Sequence, residues 1–482
     1  MIRIESKRNK FTYNIYHIVK AFYPGEDVEQ KVDGQQESLV TLYMPGDSSF
    51  SVFSEEIGLP SVQDPDEQRL QEEKWAVTRR VYQYLAEVNG GGLAWGILTG
   101  VRPTKLIMQK IEAGIGREEI LRSFQEEDFV SPEKAELAYE IACREHELLS
   151  RLDCAEGFSL YVGIPFCPSV CSYCSFSSSP IDQWRDRVDG YLDALVKEIR
   201  ALGKMAAGRK PDTVYIGGGT PTTLEPEQLD RLLSTITECF DISRALEFTI
   251  EAGRPDSITE EKLRVIRKYP VTRISVNPQT MQQKTLDLVG RRHTVKDVVN
   301  AFQMARKLGF DNINMDLIAG LPGENAEDMR DTLSRVKELG PDSLTVHALA
   351  IKRAAKFGQE GRTAELHSEI SQMVEEASRC ARSMSLQPYY LYRQKNIAGN
   401  FENVGYAEVD KAGIYNILIM EEKQTILAAG AGASTKILLR EPIKEKNGKG
   451  VGIIRIENVK NITEYISRID EMIERKGEWL WR

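Results

Sequence analysis

The sequence has little of what a secreted or membrane protein needs. Seven cysteines among 482 residues do not make a disulfide framework, and no apolar run approaches the length that spans a bilayer. The basic start MIRIESKRNK is not followed by the apolar segment of a secretion signal. We therefore expect a cytoplasmic protein without a membrane span, in a compartment that keeps thiols reduced.

Acidic residues outnumber basic ones, 72 to 63. The formal net charge is −9 at pH 7, whereas broad nucleic-acid binding needs a basic face, so we expect no nucleic-acid partner. Proline and glycine are not concentrated enough to indicate disorder. With 41% apolar and 28% charged residues, the composition indicates a globular protein with room for two or three domains.

Three of the cysteines nevertheless lie close together, in the string YVGIPFCPSVCSYCSF. Cys167, Cys171 and Cys174 have the spacing C-x-x-x-C-x-x-C and directly follow a strand-like run. A cubane iron–sulfur cluster takes four ligands, so three thiolates leave one iron open to a non-protein ligand. The alternative is a structural zinc site, but such a site usually takes four Cys or His ligands in two separated pairs, and no histidine lies nearby.

The middle of the chain, from about Phe158 to Ile351, alternates strand-like runs with amphipathic stretches. The strand-like runs are FSLYVGI, DTVYIGGG, LEFTIEAG, VTRISVNPQ, INMDLIAGLPG and DSLTVHALAI. The helix-like stretches between them include VDGYLDALVKEIRALGKM, PEQLDRLLSTITECF and VKDVVNAFQMARKLGF. Repeated βα units predict a parallel sheet with right-handed crossovers, either doubly wound or curved into a barrel, and active sites of such barrels gather at the carboxyl ends of the strands.

Glycines and polar residues stand at most of these predicted strand ends. They are Gly163, Gly217, Gly218, Gly219, Thr220, Glu251, Asn277, Gln279 and Asp316, with Arg291 just before a helix. Consecutive glycines let a ligand approach the backbone closely, although a tight turn without a ligand is the alternative. Each acid by itself could cap a helix, and Arg291 could be a solvated arginine at a helix start. Their common placement favours a binding site.

The cysteine loop resembles that of radical SAM enzymes. In that family the open iron of a 4Fe-4S cluster chelates S-adenosyl-L-methionine (SAM), and one electron cleaves SAM to methionine and a 5'-deoxyadenosyl radical. The strings YVGIPFC, YIGGGTPT, RISVNPQT, GRRHT and DLIAGLPGE are similar to those of the oxygen-independent coproporphyrinogen III oxidase family and its haem-chaperone relatives. YYLYRQKNIAGNFENVGYA and YNILIMEEKQTILAAGAGASTK resemble the HemZ-type branch, whose members are named coproporphyrinogen dehydrogenases.

The resemblance implies an α/β fold with a partial (β/α)6 barrel and a cluster held by Cys167, Cys171 and Cys174. It implies SAM contacts from Tyr161, Tyr173, Gly218, Gly219, Thr220, Glu251, Gln279, Arg291, Asp316 and Ala350. The predicted domains are an N-terminal α+β accessory domain (1–150), the barrel (151–355) and a C-terminal α+β domain (356–482).

The reaction implied by the resemblance is oxidative decarboxylation of propionates to vinyl groups on a reduced tetrapyrrole, with a reducing electron donor of the flavodoxin or ferredoxin type. No residue is assigned as a catalytic acid. Cation candidates for the substrate carboxylates are Arg254, Arg291, Arg292, Lys352, Arg353, Arg393 and Lys395, each of which could also be a solvated surface charge.

Three other functions stay open on the sequence alone. One is radical SAM chemistry on another substrate, including haem cleavage or methyl transfer. Another is haem binding or delivery, although the HN-x-x-YW-like segment that haem-chaperone forms carry after the barrel is absent. The last is a zinc or scaffold protein without enzymatic activity.

The flanking regions offer weaker candidates. In GGGLAWGILTGVRPTKLIMQK, Arg102 and Lys105 are possible anion contacts, and a structural loop is the alternative. Near the C-terminus, Gly430 and Gly432 permit a close approach that either covers the cofactor or forms a turn.

Overall fold

The computed structural model describes residues 1–23, 26–46, 48–59, 66–349, 367–393, 401–444 and 450–480. Ala350, Lys352, Arg353 and Lys395 therefore lie outside the described residues. The chain divides into two compact units. The first comprises Met1–Cys143, Ala348–Gln372 and Leu391–Asn403, and the second comprises Arg144–His347, Met373–Tyr390 and Val404–Arg482. The three predicted domains, with borders at residues 150 and 355, stay a prediction.

The first unit contains a small mixed sheet and several helices. Its strands are β1 (Ile2–Ser6), β2 (Val28–Val32), β3 (Val40–Tyr43) and β4 (Ser49–Val52). Its helices are α1 (Asn9–Phe22), α2 (Glu67–Val88), α3 (Thr104–Glu112), α4 (Arg117–Glu126) and α5 (Pro132–Ser150), the last of which continues into the second unit. The strand order is β2-β1-β3-β4, with β1 parallel to β2 and antiparallel to β3. Apolar side chains at helical spacing on α1, such as Phe11, Ile15 and Ile18, pack with Val77 and Val81 of α2 to form its core.

One of the predicted substrate cations lies inside this first unit. The Arg393 guanidinium is 5.5 Å from the centre of the Trp95 ring and donates to the Leu98 carbonyl. Glu402 accepts hydrogen bonds from Trp95 Nε1 (2.7 Å) and from Lys134 Nζ. Burial lowers the pKa of Arg393 to about 10. Arg393 therefore fixes the 90–100 segment of this unit, a structural role.

The larger sheet carries the predicted βα units. Its strands, together with the short pair β6 and β7 that stands apart from it, are β5 (Phe158–Ile164), β6 (Phe166–Cys167), β7 (Ser179–Pro180), β8 (Pro211–Gly218), β9 (Glu247–Glu251), β10 (Arg273–Ser275), β11 (Ile313–Ala319), β12 (Ser343–Ala348), β13 (Gln387–Arg393), β14 (Glu402–Ala407), β15 (Thr425–Ala429), β16 (Ser434–Lys444) and β17 (Gly450–Glu457). The accompanying helices are α6 (Val188–Met205), α7 (Pro226–Cys239), α8 (Glu260–Arg267), α9 (Gln283–Leu288), α10 (Val295–Lys307), α11 (Ala326–Leu339), α12 (His367–Ser383), α13 (Ile414–Glu421), α14 (Ile462–Ser467) and α15 (Ile469–Gly477).

The strand order confirms the predicted α/β class and the partial barrel. Neighbouring strands run β13-β14-β12-β11-β10-β9-β8-β5-β15-β16-β17, so the six predicted strands are adjacent and in sequence order. The pairs β5–β8, β8–β9, β9–β10 and β10–β11 are parallel. The first and sixth strands of the series do not pair with each other. Instead β15 pairs parallel with β5, and β14 pairs antiparallel with β12.

Local sequence patterns explain the elements nearest the cysteines. The β5 strand is covered on both faces and only Tyr161 is half-buried, as suits a parallel strand in the middle of a sheet. Helix α6 buries Leu192, Leu195, Ile199 and Leu202, whose three- and four-residue spacing forms one apolar face.

Across the described ranges, no helix combines the length and apolar character that a bilayer crossing requires.

A buried charge network joins the C-terminal part of the second unit to α6. Glu198 of α6 and Lys476 of α15 form an ion pair with no solvent exposure of either side chain. Glu198 also accepts hydrogen bonds from the Tyr465 hydroxyl (2.5 Å), Asn458 Nδ2 (2.9 Å) and the Gly430 amide (2.9 Å). Because every partner is satisfied, the network fixes the loop at Gly430 against α6.

Candidate active site at the strand ends

The cysteine loop is hydrogen-bonded to the glycine turn that follows β8. The Gly219 amide donates to the Ile164 carbonyl and the Thr220 amide to the Phe166 carbonyl, both at 2.7 Å. The Thr220 hydroxyl lies 3.5 Å from the Cys167 sulfur. A Cβ atom at Gly219 would meet the Phe166 carbonyl oxygen at 2.5 Å, so this close approach requires glycine. The parallel pairing of β5 and β8 thus places two predicted site segments side by side.

A second glycine contact supports the end of β5 from the other side. Gly430, with a φ of +109°, packs so closely on the Gly163 carbonyl that a Cβ atom would overlap it. The Tyr191 hydroxyl donates to the same carbonyl at 2.7 Å and accepts from the Ala431 amide at 3.1 Å. The predicted close approach at Gly430 is therefore an approach to the strand that leads into the cysteine loop.

The three loop cysteines are protected to different degrees. Cys171 is buried, and Cys167 and Cys174 are half-buried. Burial raises the pKa of the Cys174 thiol, and the charges of Cys171 and Cys167 raise it further, so metal binding here must displace protons. Within the described part of the chain, no three His, Cys, Asp or Glu side chains converge on a single metal ion. A cubane cluster needs no such convergence, because each thiolate binds a different iron.

Glu251, at the end of β9, lies inside the barrel among hydrogen-bond donors. Its carboxylate accepts from the Tyr215 hydroxyl, from Ser275 Oγ at 2.7 Å and from Asn277 Nδ2 at 3.3 Å. Burial raises the pKa of Glu251, and the charge of Asp316 raises it further. The two predicted acids are thus close enough to interact.

Asp316, on β11, has the opposite electrostatic environment. Burial alone would raise the pKa of Asp316, but the neighbouring His347, Asn314 and Arg273 groups together lower it. Asn314 Nδ2 donates to Asp316 at 2.7 Å, and His347 Nε2 lies 3.9 Å from the other carboxylate oxygen. A carboxyl whose pKa is raised therefore lies beside one whose pKa is lowered.

Three tyrosines stack into an aromatic wall that reaches Glu251 through the Tyr215 hydroxyl. The rings of Tyr215 and Tyr415 are stacked with centroids 4.4 Å apart, and Tyr161 lies 6.1 Å from Tyr415 and 6.4 Å from Tyr215. Burial raises the pKa of Tyr161 to about 12, and the charge of Glu251 adds to the effect. Of the three, only Tyr161 was predicted. The position of Tyr215, two residues before the glycine turn, is the signal that could have found it, whereas no motif marks Tyr415.

Gln279 and Arg291 present polar atoms that no described residue satisfies. The Gln279 backbone has a φ of +67° and its amide donates to the Asp316 carbonyl at 2.9 Å, while its side-chain Oε1 is buried without a partner. Arg291 donates to the Asn277 carbonyl (2.8 Å) and to the Tyr173 hydroxyl (3.2 Å), but its Nε is also buried and unpaired. Such groups suit a polar ligand, because an unpaired buried donor or acceptor is costly.

Arg254 is committed to the cysteine loop. Its side chain is nearly buried and donates to the Asp256 carboxylate at 2.7 Å, to the Ser169 carbonyl at 3.0 Å and to the Cys171 sulfur at 3.6 Å. It was predicted only as a candidate for substrate carboxylates, and these contacts leave it little freedom for that role. Arg292, in contrast, is exposed.

Comparisons with known proteins agree with this architecture. Residues 161–336 match the model of the radical SAM superfamily, a range that holds the three cysteines and every predicted SAM contact except Ala350. The oxygen-independent coproporphyrinogen-III oxidase-like protein HemZ of Bacillus subtilis (strain 168) is 41% identical over 392 residues, which cover 80% of this chain and 77% of HemZ. The chain belongs to the HemZ-type family of radical SAM proteins.

Two further relatives show how widely names vary around this HemZ-type chain. The heme chaperone HemW of the same Bacillus subtilis strain is 36% identical over 43% of this chain and 55% of HemW. The solved structure described as coproporphyrinogen III oxidase (HemN) from Escherichia coli, a radical SAM enzyme, superposes with a TM-score of 0.53 and 26% identity, covering 66% of this chain and 70% of that one. Membership of the superfamily implies a 4Fe-4S cluster and SAM.

Proposed function

We propose that this HemZ-type protein oxidatively decarboxylates propionate groups of coproporphyrinogen III, or of a closely related reduced tetrapyrrole, to vinyl groups. The observation that carries the proposal is the hydrogen-bonded pairing of the cysteine loop with the glycine turn at the carboxyl ends of β5 and β8. Similarity to HemZ across most of the chain supports the substrate class.

In this proposal Cys167, Cys171 and Cys174 hold the cluster. The loop suits thiolates, because Arg254 donates to the Cys171 sulfur and the Thr220 hydroxyl lies beside the Cys167 sulfur. The cluster with SAM supplies the radical that removes a hydrogen atom from the substrate. The protein's own tasks are to orient both molecules and to exclude water.

The strand-end side chains bind SAM in the same proposal, with Tyr161, Tyr173 and the Gly218–Thr220 turn as further contacts. Asp316 suits ribose hydroxyls because its carboxylate favours the charged form. The unpaired Oε1 of Gln279 and Nε of Arg291 suit the polar groups of adenine and methionine. Ala350 is a further proposed contact, outside the described residues.

The aromatic wall has a separate task in the proposal. Tyr161, Tyr215 and Tyr415 stack on one another, and Tyr215 joins this ring surface to Glu251. Stacked rings exclude water from the space where a reactive intermediate would form, which protects it from side reactions.

Each propionate that becomes a vinyl group loses a hydrogen atom, carbon dioxide and one electron. The reaction therefore needs an electron acceptor besides the reductant that activates SAM. We propose a flavodoxin- or ferredoxin-type donor and a cytoplasmic location, where such carriers and reduced thiols occur together. Among the described cations, Arg291 and Arg292 remain candidates for the substrate carboxylates.

A second candidate function is haem binding or delivery. The 36% identity to the heme chaperone HemW favours it, although this match covers only 43% of the chain. A radical SAM reaction on a different tetrapyrrole, including haem cleavage, would use the same site.

One anaerobic experiment separates these functions. The cluster is reconstituted, a strong reductant and SAM are added with and without coproporphyrinogen III, and 5'-deoxyadenosine and tetrapyrrole mass are followed together. Substrate-dependent 5'-deoxyadenosine with loss of two carboxyl groups supports the dehydrogenase. Slow SAM cleavage with unchanged porphyrinogen overturns the proposed substrate, and tight haem binding without turnover would favour delivery.

A further inference from the structure

A buried charge pair lies against the cysteine loop, directly after Gly253, whose carbonyl accepts a hydrogen bond from the proposed SAM contact Arg291. Arg254 is only 4% exposed, yet its guanidinium has three partners in the loop. Nη1 donates to the Ser169 carbonyl (3.0 Å) and to the Cys171 sulfur (3.6 Å), and Nη2 donates to Ser169 Oγ (3.1 Å). A single buried cation therefore contacts both the backbone and one sulfur of the loop.

Asp256 holds this guanidinium in a bidentate pair. Arg254 Nε lies 2.9 Å from one carboxylate oxygen and Nη2 lies 2.7 Å from the other. The backbone between them is fixed by the Ser257 hydroxyl, which donates to the Arg254 carbonyl at 2.7 Å. His293 Nδ1 lies 3.7 Å from the same Asp256 oxygen that Arg254 Nε contacts. A two-point pair fixes the plane as well as the position of the guanidinium.

Stability alone does not account for this arrangement. Burying a charge pair costs desolvation energy that the pair's attraction barely offsets, and apolar side chains of similar size would fill the space as well. The distinctive feature is the direction of the N–H groups, which point at a sulfur of the loop.

We propose that Arg254 is a positioning residue that sets the reduction potential of the cluster held by Cys167, Cys171 and Cys174, and that Asp256 partly offsets its charge. The inference rests on the proposed cluster, but not on the proposed substrate. Hydrogen bonds to the sulfurs and the net charge nearby are two of the factors that set such potentials. Reduction adds one negative charge to the cluster, so a fixed positive charge at Cys171 favours the reduced form.

Substitutions of the two members of the pair should then shift the reduction potential in opposite directions. Arg254→Gln removes the positive charge and leaves Asp256 uncompensated, which disfavours reduction. Asp256→Asn removes the negative charge and leaves Arg254 uncompensated, which favours reduction. If the pair had only a structural role, both substitutions would loosen the loop and shift the reduction potential in the same direction.

The test is an EPR-monitored titration of the reconstituted full-length protein with dithionite, without SAM or tetrapyrrole, together with iron and sulfide analysis. At a fixed solution potential, Arg254→Gln is expected to lower the ratio of reduced to oxidised cluster about tenfold. This corresponds to a shift of about 59 mV in the reduction potential of a one-electron couple. Asp256→Asn is expected to raise that ratio, and Arg254→Lys to fall between Arg254→Gln and wild type. Arg292→Gln, the same charge change at an exposed position, is the matched control and is expected to shift little, because solvent screens it.

Shifts of the same sign in Arg254→Gln and Asp256→Asn would overturn the proposal, as would a shift in Arg254→Gln no larger than in Arg292→Gln. If Arg254→Gln loads no iron, Asp256→Asn and Arg254→Lys decide in its place, and an unchanged ratio in both overturns the proposal. If the wild type itself loads no cluster, the proposed function fails, which is a separate result from an absent shift in a loaded variant.

Discussion

The hydroxyl of Thr220 and the sulfur of Cys167 lie 3.5 Å apart although 53 residues separate them in sequence. The contact exists because β5 and β8 are parallel neighbours and each ends in a predicted site segment. Since the loop and the turn share two backbone hydrogen bonds as well, a change in either segment should be felt in the other.

Replacing any one of the loop cysteines should remove the cluster. Cys167→Ala, Cys171→Ala or Cys174→Ala is expected to abolish the brown absorption and to reduce SAM cleavage to background, because two thiolates cannot hold a cubane cluster that has an open iron. Cys239→Ala and Cys380→Ala, outside the loop, are the controls and should keep both properties. Full SAM cleavage in any loop variant would refute the ligand assignment.

Asp316→Asn should weaken SAM binding while the cluster stays. Loss of a hydrogen bond to a charged group costs about 1.5–3 kcal/mol, which corresponds to a roughly 10- to 100-fold rise in Kd. Equilibrium binding of SAM to the reconstituted protein measures the effect.

Asp342→Asn is the matched control for that variant. Asp342 lies near the opposite end of β11, where it accepts from the Ile313 amide at 2.7 Å and pairs with Arg306 at 2.6 Å. We expect it to lower stability without changing the SAM affinity of the folded protein. Equal affinity in wild type and Asp316→Asn would return Asp316 to a structural role.

Gly219→Ala should disrupt the hydrogen-bonded contact between the glycine turn and the cysteine loop. The added methyl would meet the Phe166 carbonyl oxygen at 2.5 Å, so the two segments must separate, at a cost of about 1–3 kcal/mol. Iron content after reconstitution should fall several-fold. In Gly190→Ala the methyl points into open space on α6, and higher helix propensity should stabilise the protein by about 1 kcal/mol with normal iron content. Normal iron content in Gly219→Ala would show that cluster binding does not need the close contact between the turn and the loop.

Asp128→Asn should stabilise the first unit in a pH-dependent way. Burial raises the pKa of Asp128 to about 6, so the folded state binds more protons than the unfolded state between the two pKa values. Wild-type stability therefore falls as pH rises through about 6, and the variant should be more stable at pH 7.5 but not at pH 4. Because the carboxyl is partly exposed, we expect a difference of about 1 kcal/mol after solvent screening.

Urea unfolding of the full chain at several pH values measures this difference. Glu127→Gln is the control, since Glu127 is exposed and pairs with Arg79 at 3.4 Å. Glu127→Gln should change the stability only slightly, and this change should not vary as the pH passes through about 6. If the free energies of unfolding of wild type and Asp128→Asn differ by the same amount at every pH, Asp128 does not have a raised pKa.

Local patterns in the sequence predict the barrel elements well. The run FSLYVGI coincides with β5, and VDGYLDALVKEIRALGKM coincides with α6. Both succeed because a strand-like run and a regular apolar face are properties of neighbouring residues. The resemblance to radical SAM enzymes added what such patterns cannot, namely the curvature of the sheet and the cofactor.

Contacts between distant residues could not be predicted in this way. Arg254 reaches the Cys171 sulfur across 83 residues, and nothing in EAGRPDS indicates that direction. Tyr415 joins the aromatic wall from α13, where its pattern is that of an ordinary apolar helix. Their positions depend on how helices and strands pack together, which local periodicity does not encode.

The position of β15 beside β5 also sets an order of events during synthesis. Gln424, next to β15, hydrogen-bonds Ser159 of β5 although 265 residues separate them. At ribosomal rates of about 5–20 residues per second, that interval is on the order of tens of seconds. Throughout it, the strand that leads into the cysteine loop has one unpaired edge, a template for wrong pairing. A nascent chain stalled before β15 would therefore be a target for chaperones or proteases.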